Sequence, residues 1–481
     1  MDDSSLLWFR RDLRLADNTA LGAALKESAG VHCVFVFDTD ILERLTRRAD
    51  RRVEFILHCV AELAEGIAAR GGSLIVLHGR ATDEIPRLAR RLQVGSVYIN
   101  RDYEPDAIAR DRDVERALSA DGVVLYRCKD QVIFEQDELM SQGGNAYTVF
   151  AGYRNAWLKR LPQADLEAAP LQTARGRFVP SEEGTPPRPL PSLKDLGFET
   201  TNLLELEIDP GESGADRALG DFLPRIHAYQ EARNFPAVRG VSYLSVHLRF
   251  GTISVRRLVN EALRDGSDGA RAWLVELIWR DFYFSILYLF PHVVGHAFHR
   301  KLEALPFTNR DDYFRAWCDG RTGYPLVDAA MRQLSRTGYM HNRLRMVAAS
   351  FLVKHLQVDW RWGERYFAEQ LNDYDLAANN GGWQWSASTG NDAQPWFRIF
   401  NPVLQSKRFD PEGNFIRRYV PELSGCSDKQ VHEPWKLSSA AQAAAGFAIG
   451  ESYPAPLVDH AQARAAALRM YQSISPASRS A

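Results

Sequence analysis

At 481 residues the chain is longer than one ordinary hydrophobic core supports, and two or three domains are expected. Hydrophobic content of 45% and charged content of 25% belong to a soluble globular protein, and no apolar run approaches the roughly 20 residues of a membrane span, which excludes a membrane-spanning class. A net charge of −2 supplies no overall pull toward nucleic acid, so a polyanion would have to be held by a local basic face. The opening Met1-Asp2-Asp3-Ser4-Ser5 is acidic and lacks a signal-peptide pattern, so a cytoplasmic protein is expected. Cysteines 33, 59, 128, 318 and 426 are odd in number and widely scattered, which suggests reduced thiols and offers no metal spacing.

Short apolar runs recur at 6–9, 31–37, 74–77, 94–99 and 123–126, separated by helix-like segments such as 50–69. Strands alternating with helices predict an α/β domain over 1–130 with a five-stranded parallel, Rossmann-like sheet and right-handed crossovers. No glycine-rich dinucleotide fingerprint accompanies it. From 161 to 214 the chain is rich in Pro, Gly, Ser, Thr and Glu, as in Pro180-Ser181-Glu182-Glu183-Gly184-Thr185-Pro186-Pro187, and 131–214 reads as a surface connector. Helical patterns then dominate, at 215–233, 254–265, 269–289, 325–337, 342–357 and 363–371. A mostly α-helical C-terminal domain is predicted over 215–475, closing with a helix at 458–473 and a short Ser-rich tail.

Two basic segments stand out. Between Arg225 and Arg257 there are six arginines against the single acid Glu231, and between Met331 and Lys354 four arginines and a lysine against none. Either could hold phosphates, or form a solvated helix face. Upstream, Ser242 and Ser245 flank Tyr243-Leu244 on a loop entering a helix, where hydroxyls and free N–H groups suit a pyrophosphate. A helix over Trp273-Leu274-Val275-Glu276-Leu277-Ile278-Trp279-Arg280-Asp281-Phe282-Tyr283 would align Glu276, Trp279, Arg280 and Tyr283 on one face. A single aromatic stripe of that kind is ordinarily core packing, but Tyr339-Met340-His341-Asn342-Arg343-Leu344-Arg345-Met346 repeats the chemistry, with Asn342 and Met346 one turn apart.

The densest stretch is Asn372-Asp373-Tyr374-Asp375-Leu376-Ala377-Ala378-Asn379-Asn380-Gly381-Gly382-Trp383-Gln384-Trp385. Adjacent glycines cost a helix roughly 1 kcal/mol each against alanine, so they usually mark a close approach to backbone. A planar ligand would suit the carboxamides and indoles around them. The plainer alternative is a buried Gly-Trp packing element whose carboxylates cap a helix.

The run from Asp373 through Trp385, continued by Ser386-Ala387-Ser388-Thr389-Gly390, resembles the flavin-site signature of class I DNA photolyases and cryptochromes. The opening Leu7-Trp8-Phe9-Arg10-Arg11-Asp12-Leu13-Arg14-Leu15-Ala16-Asp17-Asn18 resembles the start of the photolyase antenna domain, and matches extend to about His460. The resemblance implies a monomeric enzyme that uses FAD and light to repair cyclobutane pyrimidine dimers, the alternative being a cryptochrome-like blue-light receptor. It implies FAD contacts at Tyr229, Ser242, Leu244, Ser245, Trp273, Arg280, Arg345, Asp373, Asp375 and Asn379, with Val241 standing where a threonine is usual. Dimer contacts fall on Glu276, Asn342 and Met346, with Trp279 and Trp385 as apolar walls, and DNA phosphates on Arg233, Arg343 and Arg398. Relatives that repair (6-4) photoproducts carry histidines where this chain has Asn342 and Met346; His341 is expected to be a structural donor.

Trp383 and Trp360 match the inner members of the family's tryptophan electron chain. Phe307 aligns with the outermost one and is too hard to oxidise, so Trp362, Trp317 or a tyrosine is the expected exit; Tyr339 replaces a tryptophan common near the flavin. For a second, antenna chromophore, Ala107 lacks the acid that folate-type relatives use. Asp102, Glu104 and Arg110 resemble the deazaflavin-binding subgroup, with Arg249 in place of its lysine.

Overall fold

The structure is a computed structural model that describes residues 4–169, 171, 177–180 and 189–474; residues 170, 172–176 and 181–188 of the expected connector and the Ser-rich end from 475 lie outside the described residues. Strands β1 (Ser4–Phe9), β2 (Gly30–Asp38), β3 (Leu74–Gly79), β4 (Ser96–Asn100) and β5 (Val124–Cys128) pair in parallel in the order β3-β2-β1-β4-β5. Helices α1 (Thr19–Glu27), α2 (Arg51–Ala68), α3 (Ala81–Leu92) and α4 (Pro105–Ala120) make the crossovers. Side chains alternate between faces with period two, so each strand feeds two cores. Leu7, Phe9, Cys33 and Phe35 join one cluster, and Leu6, Trp8, Val34 and Val36 join the other.

Contacts group the chain into two compact units, one of Met1–Tyr147, Ala151–His227 and Ser242–Leu289, the other of Thr148–Phe150, Ala228–Val241 and Phe290–Ala481. The first contains the sheet and α5 (Asp268–Leu289). The second is helical among the described residues, with α6 (Pro325–Thr337), α7 (Asn342–Ser350), α8 (Trp360–Gln370), α9 (Leu376–Ala387) and α10 (His460–Gln472) around a core that includes Trp317, Trp360 and Trp383.

Two elements differ from the pattern read in the sequence, and a third follows the capped-helix alternative given there. The helix expected over 215–233 is an α-helix at Gly211–Phe222, a 3-10 segment at Leu223–Ala228 and one turn at Tyr229–Ala232; Pro224 has no N–H to give and breaks the ladder. The helix expected over 342–357 ends at Ser350 and passes into a π turn, Phe351–His355. The stretch 376–387 is a full helix despite Gly381 and Gly382, started by Asp375, whose carboxylate accepts from the Ala377 and Ala378 N–H groups at 3.1 and 3.3 Å.

Among the described residues all five thiols are free. Burial raises the pKa of each, that of Cys128 to about 11 and that of Cys318 to about 12. The described residues hold no group of three or more side chains able to ligate a metal, and no helix long and apolar enough to cross a membrane.

Candidate functional site

On α9, Trp383 is buried while Trp385, two positions on, is half-buried, as residues 200° apart on a helix should be. A Cβ on Gly382 would meet nothing within 4 Å, so open space borders that turn. Asn379 is half-buried, and its Nδ2 donates to the Glu364 carboxylate at 2.8 Å and to the Glu364 carbonyl at 3.1 Å. Burial raises the pKa of Glu364, offset in part by that hydrogen bond from Asn379. Trp383 has no partner for its indole N–H among the described residues. Its ring is seated against α8 because Gly363 is small: a Cβ there would lie 2.0 Å from Trp383 Cη2.

The carboxylate-rich start of this stretch divides its labour. Asn372 is structural, donating from Nδ2 to the Thr337 carbonyl at 2.9 Å and from its N–H to Gly338 at 2.8 Å, where Gly338 (φ +66°) ends α6. Asp373 pairs with Arg345 at 2.8 Å, and Arg345 also donates to the Met340 carbonyl. That turn leads into α7, on which Asn342 is exposed and Met346 half-buried. Arg343 donates to Asn234 at 2.7 Å and lies over the Phe409 ring at 4.5 Å. His341, expected as a donor, is instead an acceptor: its Nδ1 takes the Arg343 N–H at 3.2 Å and caps α7. Burial first, then Arg343 and Arg345, push its pKa down to about 4, which keeps the ring neutral. Arg233, in the same unit, lies over the Tyr229 ring at 5.7 Å, with Tyr229 buried.

In the sheet-bearing unit, Ser242 and Leu244 precede a short helix, Ser245–Phe250, with Tyr243 at φ +57°. Helix α5 carries Glu276 and Trp279 half-buried, and Trp273 buried with its ring 5.0 Å from Phe222. Arg280 donates to the Gln131 carbonyl and lies over the Phe284 ring at 4.5 Å. The residue that sequence reasoning missed here is Asp281, which is buried and accepts from the Ile133 N–H and Trp157 Nε1, both at 3.0 Å. Burial raises its carboxyl to about 6.

The aromatic neighbours of Trp383 form a connected set. Trp317 lies 6.0 Å away, edge to face, and Phe367 5.0 Å; Trp317 in turn lies 5.7 Å from the half-buried Tyr366. Phe314 links Trp317 to Trp362 at 6.0 and 5.2 Å. Trp360 is buried in the same core with Arg361 over its ring. Phe307 packs against that core, partly buried.

In the α/β part, the charges singled out in the sequence answer one another. Glu104 accepts from Arg249 at 2.6 Å and Arg11 at 2.8 Å, and Arg110 lies over Trp8 at 5.1 Å while donating to Asp111. Burial would lift the Asp102 carboxyl, but Arg11, Arg10, Arg110 and Arg249 outweigh it and hold the pKa at about 2. Ala107 is buried on α4. A cleft of about 350 Å³ elsewhere in this unit, bordered by Leu13, Leu63 and Glu212, has its carboxylate taken by the Leu15 and Ala16 N–H groups.

A family model described as the FAD binding domain of DNA photolyase matches residues 273–473, and one described as DNA photolyase matches residues 5–173. The chain is 40% identical over 485 residues to the deoxyribodipyrimidine photo-lyase of Escherichia coli (strain K12), covering 97% of this chain and 98% of that one. The corresponding enzyme of Vibrio cholerae is 39% identical over 488 residues, covering 97% and 99%. The chain belongs to the DNA photolyase family. Within that family its fold matches a bacterial class III photolyase from Agrobacterium tumefaciens, with a TM-score of 0.88, 34% identity and 98% of each chain covered. A Synechocystis cryptochrome matches with the same TM-score at 29% identity, over 97% of this chain and 99% of that one. An archaeal photolyase from Sulfolobus tokodaii, described with two FAD molecules, matches at 0.82 and 33%, over 98% and 100%. The similarity to these photolyases thus runs over 97–98% of the chain, through both the sheet and the helical region. Besides Asp281, the side chains that sequence reasoning passed over are Glu364, beneath Asn379, and Phe397, which is exposed beside the exposed Arg398.

Proposed function

We infer that the chain repairs cyclobutane pyrimidine dimers in DNA under light, with FAD as cofactor. The observation that carries this is identity near 40% along almost the whole chain to enzymes named deoxyribodipyrimidine photo-lyase. The cryptochrome-like alternative rests on a relative of lower identity.

The residues fit FAD. The open space beside Gly382 suits a flat ring close to backbone, and the Asp373–Arg345 pair offers charge to a polar edge. Asn379 has its amide N–H engaged by Glu364, which leaves its carbonyl to accept from a reduced ring nitrogen. We assign Tyr229, Ser242, Leu244, Ser245, Trp273, Arg280, Arg345, Asp373, Asp375 and Asn379 to the cofactor. When bound and reduced, FAD supplies the light-excited electron that the dimer accepts and returns as its two bonds split.

Glu276, Asn342, Met346, Trp279 and Trp385 are assigned to the dimer. A fused pyrimidine pair stacks and pairs poorly, so everting it takes only part of the few kcal/mol a normal pair demands. An indole face replaces lost stacking at about 1–3 kcal/mol per base. Glu276 can hydrogen-bond pyrimidine N–H groups and stabilise charge as it develops. Arg233, Arg343 and Arg398 hold phosphates, a contribution that weakens with salt and ignores sequence. Trp383 and Trp360 are assigned to electron transfer. With Phe307 unable to serve, the contacts of Trp383 with Trp317 and of Trp317 with Tyr366 favour exit by that route.

Asp102, Glu104, Arg110 and Arg249 favour a deazaflavin-type second chromophore over folate. The reading is of a monomer acting in the cytoplasm. Illuminating the reduced holoprotein with a dimer-containing oligonucleotide tests the repair reading: absorbance of restored thymine should grow with light dose, and no recovery under any reductant would leave only the receptor reading.

A further inference from the structure

Lys354 lies in the π turn Phe351–His355 and is completely buried. Among the described residues no carboxylate pairs with it, and a buried ammonium without an acid is rarely retained. What surrounds it explains how the charge is carried. Its Nζ donates to Ser388 Oγ at 2.9 Å and to the Arg398 carbonyl at 3.2 Å, with the Tyr471 ring 5.6 Å away. Ser388 is the left-handed residue (φ 59°) that closes α9, so the ammonium stands at the negative end of that helix. Tyr471 on α10 fastens the same end, its hydroxyl donating to the Ala387 carbonyl at 2.5 Å.

The loop that leaves α9 here is fastened at its start, where the Gly390 N–H donates to the Gln384 carbonyl at 3.1 Å, Asn391 Nδ2 donates to the Thr148 carbonyl at 2.9 Å and Asp392 accepts from the Phe150 N–H at 2.9 Å, and it has fewer ties toward Arg398. Gln394 Nε2 reaches the Ser386 carbonyl at 3.2 Å, Trp396 stacks on Tyr471 at 6.2 Å, and the Arg398 N–H closes a turn onto Pro395. At its tip Phe397 and Arg398 are exposed. Lys354 therefore holds, through one atom, both the end of the helix that carries Trp383 and Trp385 and the backbone of the residue assigned to DNA phosphate.

We propose that Lys354 is a positioning residue, an internal clamp that fixes the Arg398 loop onto the C-terminal end of α9 and thereby sets how the protein grips the DNA backbone. The DNA half of this rests on the reading of Arg398 given above. Charge at the clamp should be sensitive to pH. Burial lowers the Lys354 pKa to about 7, and the facing groups do not counter it: burial lowers the pKa of both His355 and His460, whose ring nitrogens lie 2.9 Å apart, burial raises the Tyr471 hydroxyl, and the Arg398 guanidinium is exposed. A polyanion favours the protonated form, so DNA binding should draw in a proton, and affinity should fall as pH rises through about 7.

Two measurements on the FAD-loaded protein decide it. The first is hydrogen exchange of amides 389–400 without DNA, in wild type, Lys354→Arg and Lys354→Met. The second is Kd for a dimer-containing duplex between pH 6 and 8.5, in the same proteins and in Arg398→Ala with and without Lys354→Met. Lys354→Met should speed loop exchange, raise Kd about tenfold at low pH through two lost hydrogen bonds and flatten the pH profile, with Lys354→Arg intermediate. Its effect on Kd should be smaller when Arg398 is already alanine. Unchanged exchange, or an unchanged Kd profile, in a Lys354→Met protein that retains FAD overturns the clamp. If Arg398→Ala alone leaves Kd unaltered, the phosphate role of Arg398 fails, while loop exchange still judges the clamp. Should Lys354→Met not fold, Ser388→Gly removes one partner, suits the left-handed backbone, and is judged by the same two results.

Discussion

The segment after β1 and the segment leading into α9 are equally crowded with charged and amide side chains, yet they do different things. After β1, the groups answer one another: Arg10 takes both oxygens of Asp111 at 2.6 and 2.7 Å, and Arg14 takes both of Asp130 at 2.8 Å. Arg256 adds Asp17 and Asp130, and Asn100 bridges Asp12 to Asn18. Burial would lift the Asp130 carboxyl, but Arg14 and Arg256 hold it at about 2. Around α9 the polar side chains find partners too, Asp373 with Arg345 and Asn379 with Glu364, but Asn379 and Trp385 are only half-buried and the neighbouring Asn342 and Arg398 are exposed. A polar motif whose members satisfy one another fixes a fold. One that leaves groups open offers them to a ligand.

The sharpest way to break that contrast is Asp130→Ala, which leaves the buried Arg14 guanidinium without a carboxylate and Arg256 with Asp17 alone. It should destabilise the protein by about 3–5 kcal/mol in urea unfolding and leave the affinity of the remaining folded protein for dimer DNA intact. A stable variant with lost repair would reverse the assignment.

Asp281 lies between the two cases, with one oxygen bonded and the other without a partner among the described residues. Its folded pKa of about 6 exceeds the ordinary 3.8, so between those values the native state binds the extra proton. Stability should therefore fall as pH rises from about 4 to about 6, by about 3 kcal/mol at most. Urea midpoints across that range should show the decline in wild type and a flatter course in Asp281→Asn.

On the open side, Trp385→Ala should weaken binding to dimer-containing DNA by about 1–3 kcal/mol and leave undamaged DNA little affected. Competition binding with matched duplexes reads this directly. Gly363→Ala pushes a methyl group into Trp383 and should cost about 1–3 kcal/mol of stability by overpacking. It should also slow light-driven flavin reduction, followed by absorbance. The smallest effect belongs to Arg233→Ala: the slope of log K against log salt should shrink by about 1, equally for damaged and undamaged sequences.

The parallel sheet was legible because burial on both faces leaves continuous apolar runs, and the observed strands fall within a few residues of them. Helix α9 was legible only as one of two readings, since Asp375 is a helix-starting residue while the two glycines argue locally against the helix that it caps and tertiary packing stabilises. The family was legible from the 373–390 run. The pairing of Asn379 with Glu364, the seat that Gly363 makes for Trp383, and the placement of Lys354 against Ser388 join residues 15 to 34 positions apart. No local pattern encodes such neighbours, because hydrogen-bond partners across helices are chosen by packing.

The burial of the thiols has a practical side. With every native sulfhydryl tuned away from its reactive anion, a cysteine introduced at Leu404, whose side chain is 61% exposed, should couple to a maleimide dye well ahead of the other five. A fluorescent reporter could then be attached six residues beyond Arg398 without first stripping the protein of its own cysteines.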